Sequence, residues 1–72
     1  MLDVMPRISG EKLRAVRDRR LLSQRELAEK SGLSPTTILK LEGDRVSDPH
    51  PRTVRKLAEA LEVDPAELVE GS

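Results

Sequence analysis

The 72-residue chain contains no cysteine, phenylalanine, tyrosine or tryptophan. Without cysteine there are no disulfides, thiolate metal ligands or cysteine nucleophiles. Without aromatic rings the core has to be aliphatic, and the stacking platforms that RNA and single-strand readers use are missing. His50 is the only histidine, too little for a metal site by itself. Apolar runs never exceed two residues, as at Leu21-Leu22, so no segment can span a bilayer. The N-terminus MLDVMPRISG, with Asp3 already in place, does not read as a signal peptide. A cytoplasmic location is expected by elimination. No nucleophile with its base, carboxylate pair, phosphate-cradling glycine loop or metal cluster can be assembled, so neither an enzyme nor a cofactor is expected.

Charge is balanced in sum, 13 basic against 13 acidic side chains. Its distribution is uneven. Residues 4–58 hold every lysine and arginine against seven acids (Glu11, Asp18, Glu26, Glu29, Glu42, Asp44, Asp48). Residues 59–72 hold no base and five acids (Glu59, Glu62, Asp64, Glu67, Glu70). The chain reads as a basic body with an acidic tail. A solvated surface of ordinary mixed charge is the plain alternative.

The length allows one domain, which must rely on regular helix packing for its core. Apolar residues recur at helical spacing throughout, which predicts five short helices and an all-α bundle. Ser9 caps a first helix over 10–20, with Leu13 and Val16 inward. Ser23-Gln24-Arg25-Glu26 is a capping box that opens a second, with Leu27 and Ala28 inward. Gly32 ends it, and Ser34-Pro35 starts a third at once, with Ile38 and Leu41 inward. Pro51 opens a fourth carrying Val54, Leu57, Ala58 and Leu61. Asp64-Pro65-Ala66-Glu67 caps a last short turn that buries Leu68. Residues 1–8 are expected to form an N-terminal arm and 9–70 the domain.

Two helices of about two turns each, joined by so short a link, must cross steeply and need a small residue at the contact. Ala28 is that residue. If Ile38 marks the core direction of the third helix, then at about 100° per residue Thr36 and Lys40 point away from it. Two threonines, a lysine and the flanking Leu39 suit a DNA groove, where thymine methyls and base edges accept such groups.

The run from Leu22-Ser23-Gln24-Arg25-Glu26-Leu27-Ala28 to Ser31-Gly32-Leu33-Ser34, with Ile38 and Leu41-Glu42, resembles the phage repressor and Cro family of helix-turn-helix regulators. The string Arg52-Thr53-Val54-Arg55-Lys56-Leu57-Ala58-Glu59-Ala60-Leu61 is similar to that family too, so the likeness covers residues 9–69. The resemblance implies a lambda-repressor-like five-helix domain that binds double-stranded DNA, with its third helix in the major groove, in a transcriptional regulator, most often a repressor. It implies that Gln24 contacts a phosphate, that Pro35, Thr36, Thr37 and Lys40 face bases or nearby backbone, and that Arg52 and Thr53 touch phosphates. Arg45 falls in the loop bordering the groove.

The outward face lacks Gln, Asn and Arg, the usual bidentate base readers, which shifts weight to phosphates and DNA shape. Leu21 stands where the family commonly has glycine, and Gly43 comes one place early. Arg17 and Glu42 each lie on a mostly inward stripe and have opposite sign, and the family is known for an arginine–glutamate bridge there. They read as a structural ion pair, with independent snorkelling of each as the alternative. His50 sits in the loop ahead of Pro51, with a phosphate contact as a lesser possibility. Arg14, Arg19 and Arg20 read mostly as solvated face. A weak homodimer is expected, because one helix reads too few base pairs for selectivity. Its apolar material is Leu2, Val4 and Met5, or Val63, Leu68 and Val69, unless these simply close the core. The rival function is a protein-interaction module on the same fold, such as an antitoxin or regulatory partner.

Overall fold

The computed structural model describes residues 7–43 and 49–70. In chain order they form β1 (Arg7–Ile8), α1 (Gly10–Arg19), α2 (Gln24–Ser31), α3 (Pro35–Glu42), α4 (Pro51–Leu61), a 3-10 turn (Pro65–Leu68) and β2 (Val69–Glu70). Two expectations are corrected. Among the described residues there are four α-helices rather than five, because the segment capped by Asp64 closes as a single 3-10 turn. Pro65 supplies no N–H at its first position, and four residues cannot sustain an α-helical ladder, so the tighter i→i+3 bond from Glu67 N–H to Asp64 O (2.8 Å) prevails.

Nor is the fold wholly helical. Arg7 pairs with Glu70 and Ile8 with Val69 in an antiparallel two-stranded sheet. Next to it, Ser9 N–H donates to Leu68 O at 2.8 Å. Ile8 is buried in the core, so Arg7 and Ile8 pack with the described domain. Residues 1–6 lie outside the described residues, and with them Leu2, Val4 and Met5.

Side chains start every helix. Ser9, Ser23 and Ser34 accept through Oγ from the N–H groups of Lys12, Glu26 and Thr37. His50 Nδ1 accepts from Arg52 N–H at 3.1 Å, so the histidine is the cap of α4.

Three helices also end alike. Leu21 (φ 58°), Gly32 (φ 76°) and Glu62 (φ 60°) all take the left-handed conformation. The N–H of the next residue then reaches five back: Leu22 to Arg17 O (3.2 Å), Leu33 to Ala28 O (3.1 Å) and Val63 to Ala58 O (3.0 Å). In each case that next residue is apolar and packs against the core. This is the Schellman arrangement, in which a left-handed residue turns the chain and an apolar successor folds back over the last turn. Leu21 therefore does the conformational work of the glycine expected at its position.

The core is aliphatic. Leu13, Leu27, Ile38, Leu57, Leu61 and Leu68 are fully buried, one or two from each helix and one from the 3-10 turn. Each such leucine contributes about 1.5–3 kcal/mol by leaving water. Leu68 is thus a core residue and offers nothing to a partner chain. Gly10 permits the closest approach: a Cβ there would lie 2.7 Å from Leu41 O and closer still to Glu42 O. The start of α1 rests directly on the end of α3.

Candidate nucleic-acid interface

Gly32, Leu33 and Ser34 are all that separates α2 from α3. Ala28 is buried where the helices cross, and its carbonyl receives Leu33 N–H. Ser31 Oγ, buried beside it, donates to Ala28 O (3.3 Å) and accepts from Leu33 N–H (3.4 Å). With Ser34 capping and Pro35 at the first position, α3 starts with its backbone already set for a helix.

Below this turn lies one polar network. Arg17 Nε donates to Glu42 Oε2 at 2.6 Å, and Arg17 Nη2 donates to Glu42 Oε1 at 3.0 Å. Arg17 Nη1 donates to Leu22 O at 2.8 Å. The two side chains are only 11% and 6% exposed. The paired, side-on geometry satisfies both carboxylate oxygens and links α1, the approach to α2, and the end of α3. The hydrogen bonds to Glu42 raise the Arg17 pKa above its ordinary value, and the charges of Glu42 and Asp18 add to this against the opposing effect of burial. The guanidinium is therefore charged at neutral and moderately alkaline pH.

Gln24 joins the same network. Its Nε2 donates to Glu42 Oε1 at 3.0 Å, and the residue is half-buried. The residues expected on α3 divide in two. Pro35, Thr36 and Lys40 are exposed, and Leu39 is 53% exposed beside them. Thr37 is half-buried, and its Oγ1 shares a hydrogen bond with Ser34 Oγ at 2.9 Å, so its hydroxyl is engaged at the cap. Arg52 is exposed and Thr53 half-buried in the first turn of α4. Among the described residues no hydrogen bond or ion pair joins these two to the α2–α3 cluster. Arg45 lies outside the described residues.

An open cleft of about 360 Å³ runs between Arg14, Arg17, Gln24, Leu39, Glu42 and Gly43. It adds Arg14 to the candidate set. Lys12, Arg19 and Arg20, the last just past the end of α1, turn the opposite way: Lys12 Nζ donates to Val69 O (2.9 Å), Arg19 pairs with Glu67 (3.4 Å), and Arg20 Nη2 donates to Glu62 O (3.1 Å). The signal was present in the helical period. From Leu13, at about 100° per residue, Arg14 falls on one flank of α1 and Lys12 and Arg19 on the other. The basic residues at α1 are thus divided between a cleft-facing flank and a flank that bonds to the C-terminal segment.

The sequence profile of the helix-turn-helix family matches residues 13–68. The chain belongs to this family. This helix-turn-helix chain is 44% identical over 54 residues to the HTH-type transcriptional repressor RghR of Bacillus subtilis, a match that covers 75% of this chain and 40% of that protein. It spans about two-fifths of the length of the curated relatives it matches. Among solved structures it is similar to the restriction-modification controller protein C.AhdI from Aeromonas hydrophila. There the TM-score is 0.77 at 34% identity, covering 81% of this chain and 86% of that one. It is also similar to the P22 c2 repressor in complex with a synthetic operator, with TM-score 0.77 at 27% identity, covering 99% and 100% of the two chains. The helix-turn-helix domain is thus a fold of the phage-repressor type, built from four α-helices and a small sheet.

Proposed function

We propose that this helix-turn-helix chain binds double-stranded DNA and acts as a transcriptional regulator, in the repressing sense, with α3 in the major groove. The observation that carries the reading is the outward face of α3. Thr36, Leu39 and Lys40 stand exposed on a short helix whose other side is locked into the core through Ile38 and Leu41. Such a helix can enter a groove without disturbing the fold beneath it. The likeness to a repressor held on a synthetic operator and to a transcriptional repressor supports the same role. Gln24, Arg14, Arg52 and Thr53 would contact phosphates, and Thr36, Leu39 and Lys40 would meet base edges and thymine methyls. We read the chain as a binding module, not an enzyme, with a cytoplasmic place of action. Among the described residues no helix is long and apolar enough to cross a membrane.

Selectivity calls for two copies reading two half-sites about one helical turn apart. With Leu68 inside the core, Val63 and Val69, both half-buried, are what remains of the expected C-terminal set to meet a second copy. The second reading is a protein-binding role on the same fold. It is favoured by the balanced net charge and by the engagement of Lys12, Arg19 and Arg20 with the acidic tail. Selection from a random duplex library separates the two. DNA readout by α3 requires an enriched motif that changes in Thr36→Ala or Lys40→Ala and persists in Arg52→Ala. A protein-binding module enriches none.

A further inference from the structure

Glu42 has a partner that an ion pair with Arg17 does not account for, the amide of Gln24. A carboxylate only accepts hydrogen bonds, so the end of the amide that faces it has to be the NH2 group. That choice, which an amide free in solvent would leave open, is made here by the charge of Glu42. One of the two Nε2 protons is used on Oε1 at 3.0 Å. The other proton remains available for an acceptor outside the protein. Gln24 is the first residue of α2, where the N–H groups of Gln24 and Arg25 have no carbonyl a turn behind them. The cleft onto which Gln24 opens is shared with Arg14 and Leu39.

We infer that Glu42, itself gripped by Arg17, is a positioning residue for DNA binding: it fixes the Gln24 amide so that an N–H points at a backbone phosphate. Arg17 Nε and Nη2 hold the carboxylate from α1, Glu42 holds the amide from α3, and Gln24 presents the proton from α2. Neutralising Glu42 frees the amide to turn its carbonyl oxygen outward, which a phosphate repels. The ion pair therefore serves recognition as well as folding. This inference rests on the DNA-binding reading of the same face.

The test is a double-mutant cycle on affinity for a mixed-sequence duplex of about 20 base pairs at low salt, since phosphate contacts do not depend on sequence. Wild type, Gln24→Ala, Glu42→Gln and the double variant are compared at a temperature where circular dichroism shows each to be folded. Gln24→Ala and Glu42→Gln should each weaken binding at least about tenfold, the worth of one hydrogen bond to a charged group. The double variant should bind no more weakly than the weaker single variant. Glu42→Gln should lower the melting temperature in both backgrounds, whereas a purely structural role would lower affinity equally in both. Multiplying affinity losses would overturn the inference while leaving DNA binding intact. Loss-free binding by Gln24→Ala would overturn it too. Failure of the wild type to bind any duplex would instead refute the functional reading beneath it. Should Glu42→Gln not fold, the wild-type amide still reports. One Nε2 proton should be protected from exchange before DNA is added, and the other should shift only on addition. Equally fast exchange of both protons before DNA is added would contradict the inference.

Discussion

Arg17 of α1 and Glu42 of α3, 25 residues apart in sequence, meet side-on through two hydrogen bonds of 2.6 and 3.0 Å, and neither side chain is more than 11% exposed. A pair this buried gains from its geometry but loses hydration, so its net worth is small compared with the cost of breaking it. Arg17→Met strands a carboxylate, and Glu42→Gln strands a guanidinium. Each should destabilise by about 3 kcal/mol. The double variant should lose clearly less than the sum, since neither charge is then left alone. Chemical denaturation of the four proteins measures this. Additive losses would mean that the pairing contributes nothing. Because the Arg17 pKa is raised, its share is fully present at neutral pH and is lost only at strongly alkaline pH.

Leu21 and Glu62 hold left-handed backbone that side chains resist. Leu21 is 88% exposed, so removing its side chain forfeits no packing. Leu21→Gly should therefore stabilise by about 0.5–1 kcal/mol, the relief of strain less the extra entropy of glycine in the unfolded chain. Glu62→Gly should act likewise, and Gly32→Ala should cost about 1 kcal/mol. A melting temperature raised by a few degrees in the first two variants checks the claim.

Gly10 is under a different constraint. Its added Cβ would meet the carbonyl groups of Leu41 and Glu42, which are backbone and cannot rotate aside. Gly10→Ala should push α1 away from the end of α3 and cost about 2–3 kcal/mol. The displacement falls on the same turn that carries Glu42, so duplex affinity at a temperature of full folding should drop as well. A variant as stable as the wild type would show that the two helices are not so tightly opposed.

The α2–α3 turn was legible in the sequence because its signals are local and redundant: a capping box, a helix-ending glycine, a serine–proline restart and an alanine at the crossing. Arg17 and Glu42 were legible because a charge on an inward stripe demands a partner. The β1–β2 pair was not, since two-residue strands have no period to detect. The left-handed turns at Leu21 and Glu62 were hidden for another reason. Their conformation is imposed by the apolar residue that follows each and must reach the core, while their own side chains favour nothing of the kind. Gln24 was expected at a phosphate from its place in the motif. Its hold on Glu42 depends on where α3 ends, which no local pattern encodes. Arg14 differed from Lys12 and Arg19 only in its flank of α1, a distinction that gains meaning once α2 and the acidic tail occupy opposite sides.

The central claim is that α3 and its neighbours form a DNA-binding face. Fluorescence anisotropy of a labelled duplex, titrated between about 50 and 200 mM salt, tests it most directly, because each phosphate neutralised by Lys or Arg releases counterions. With Arg14 and Arg52 at phosphates, the logarithm of the binding constant should fall with that of salt at a slope of about −2 per bound chain. The slope should shrink by about one in Arg52→Ala, and Lys12→Ala, which faces the tail, should leave it unchanged. Affinity indifferent to salt, or absent at the low-salt end, would contradict the account.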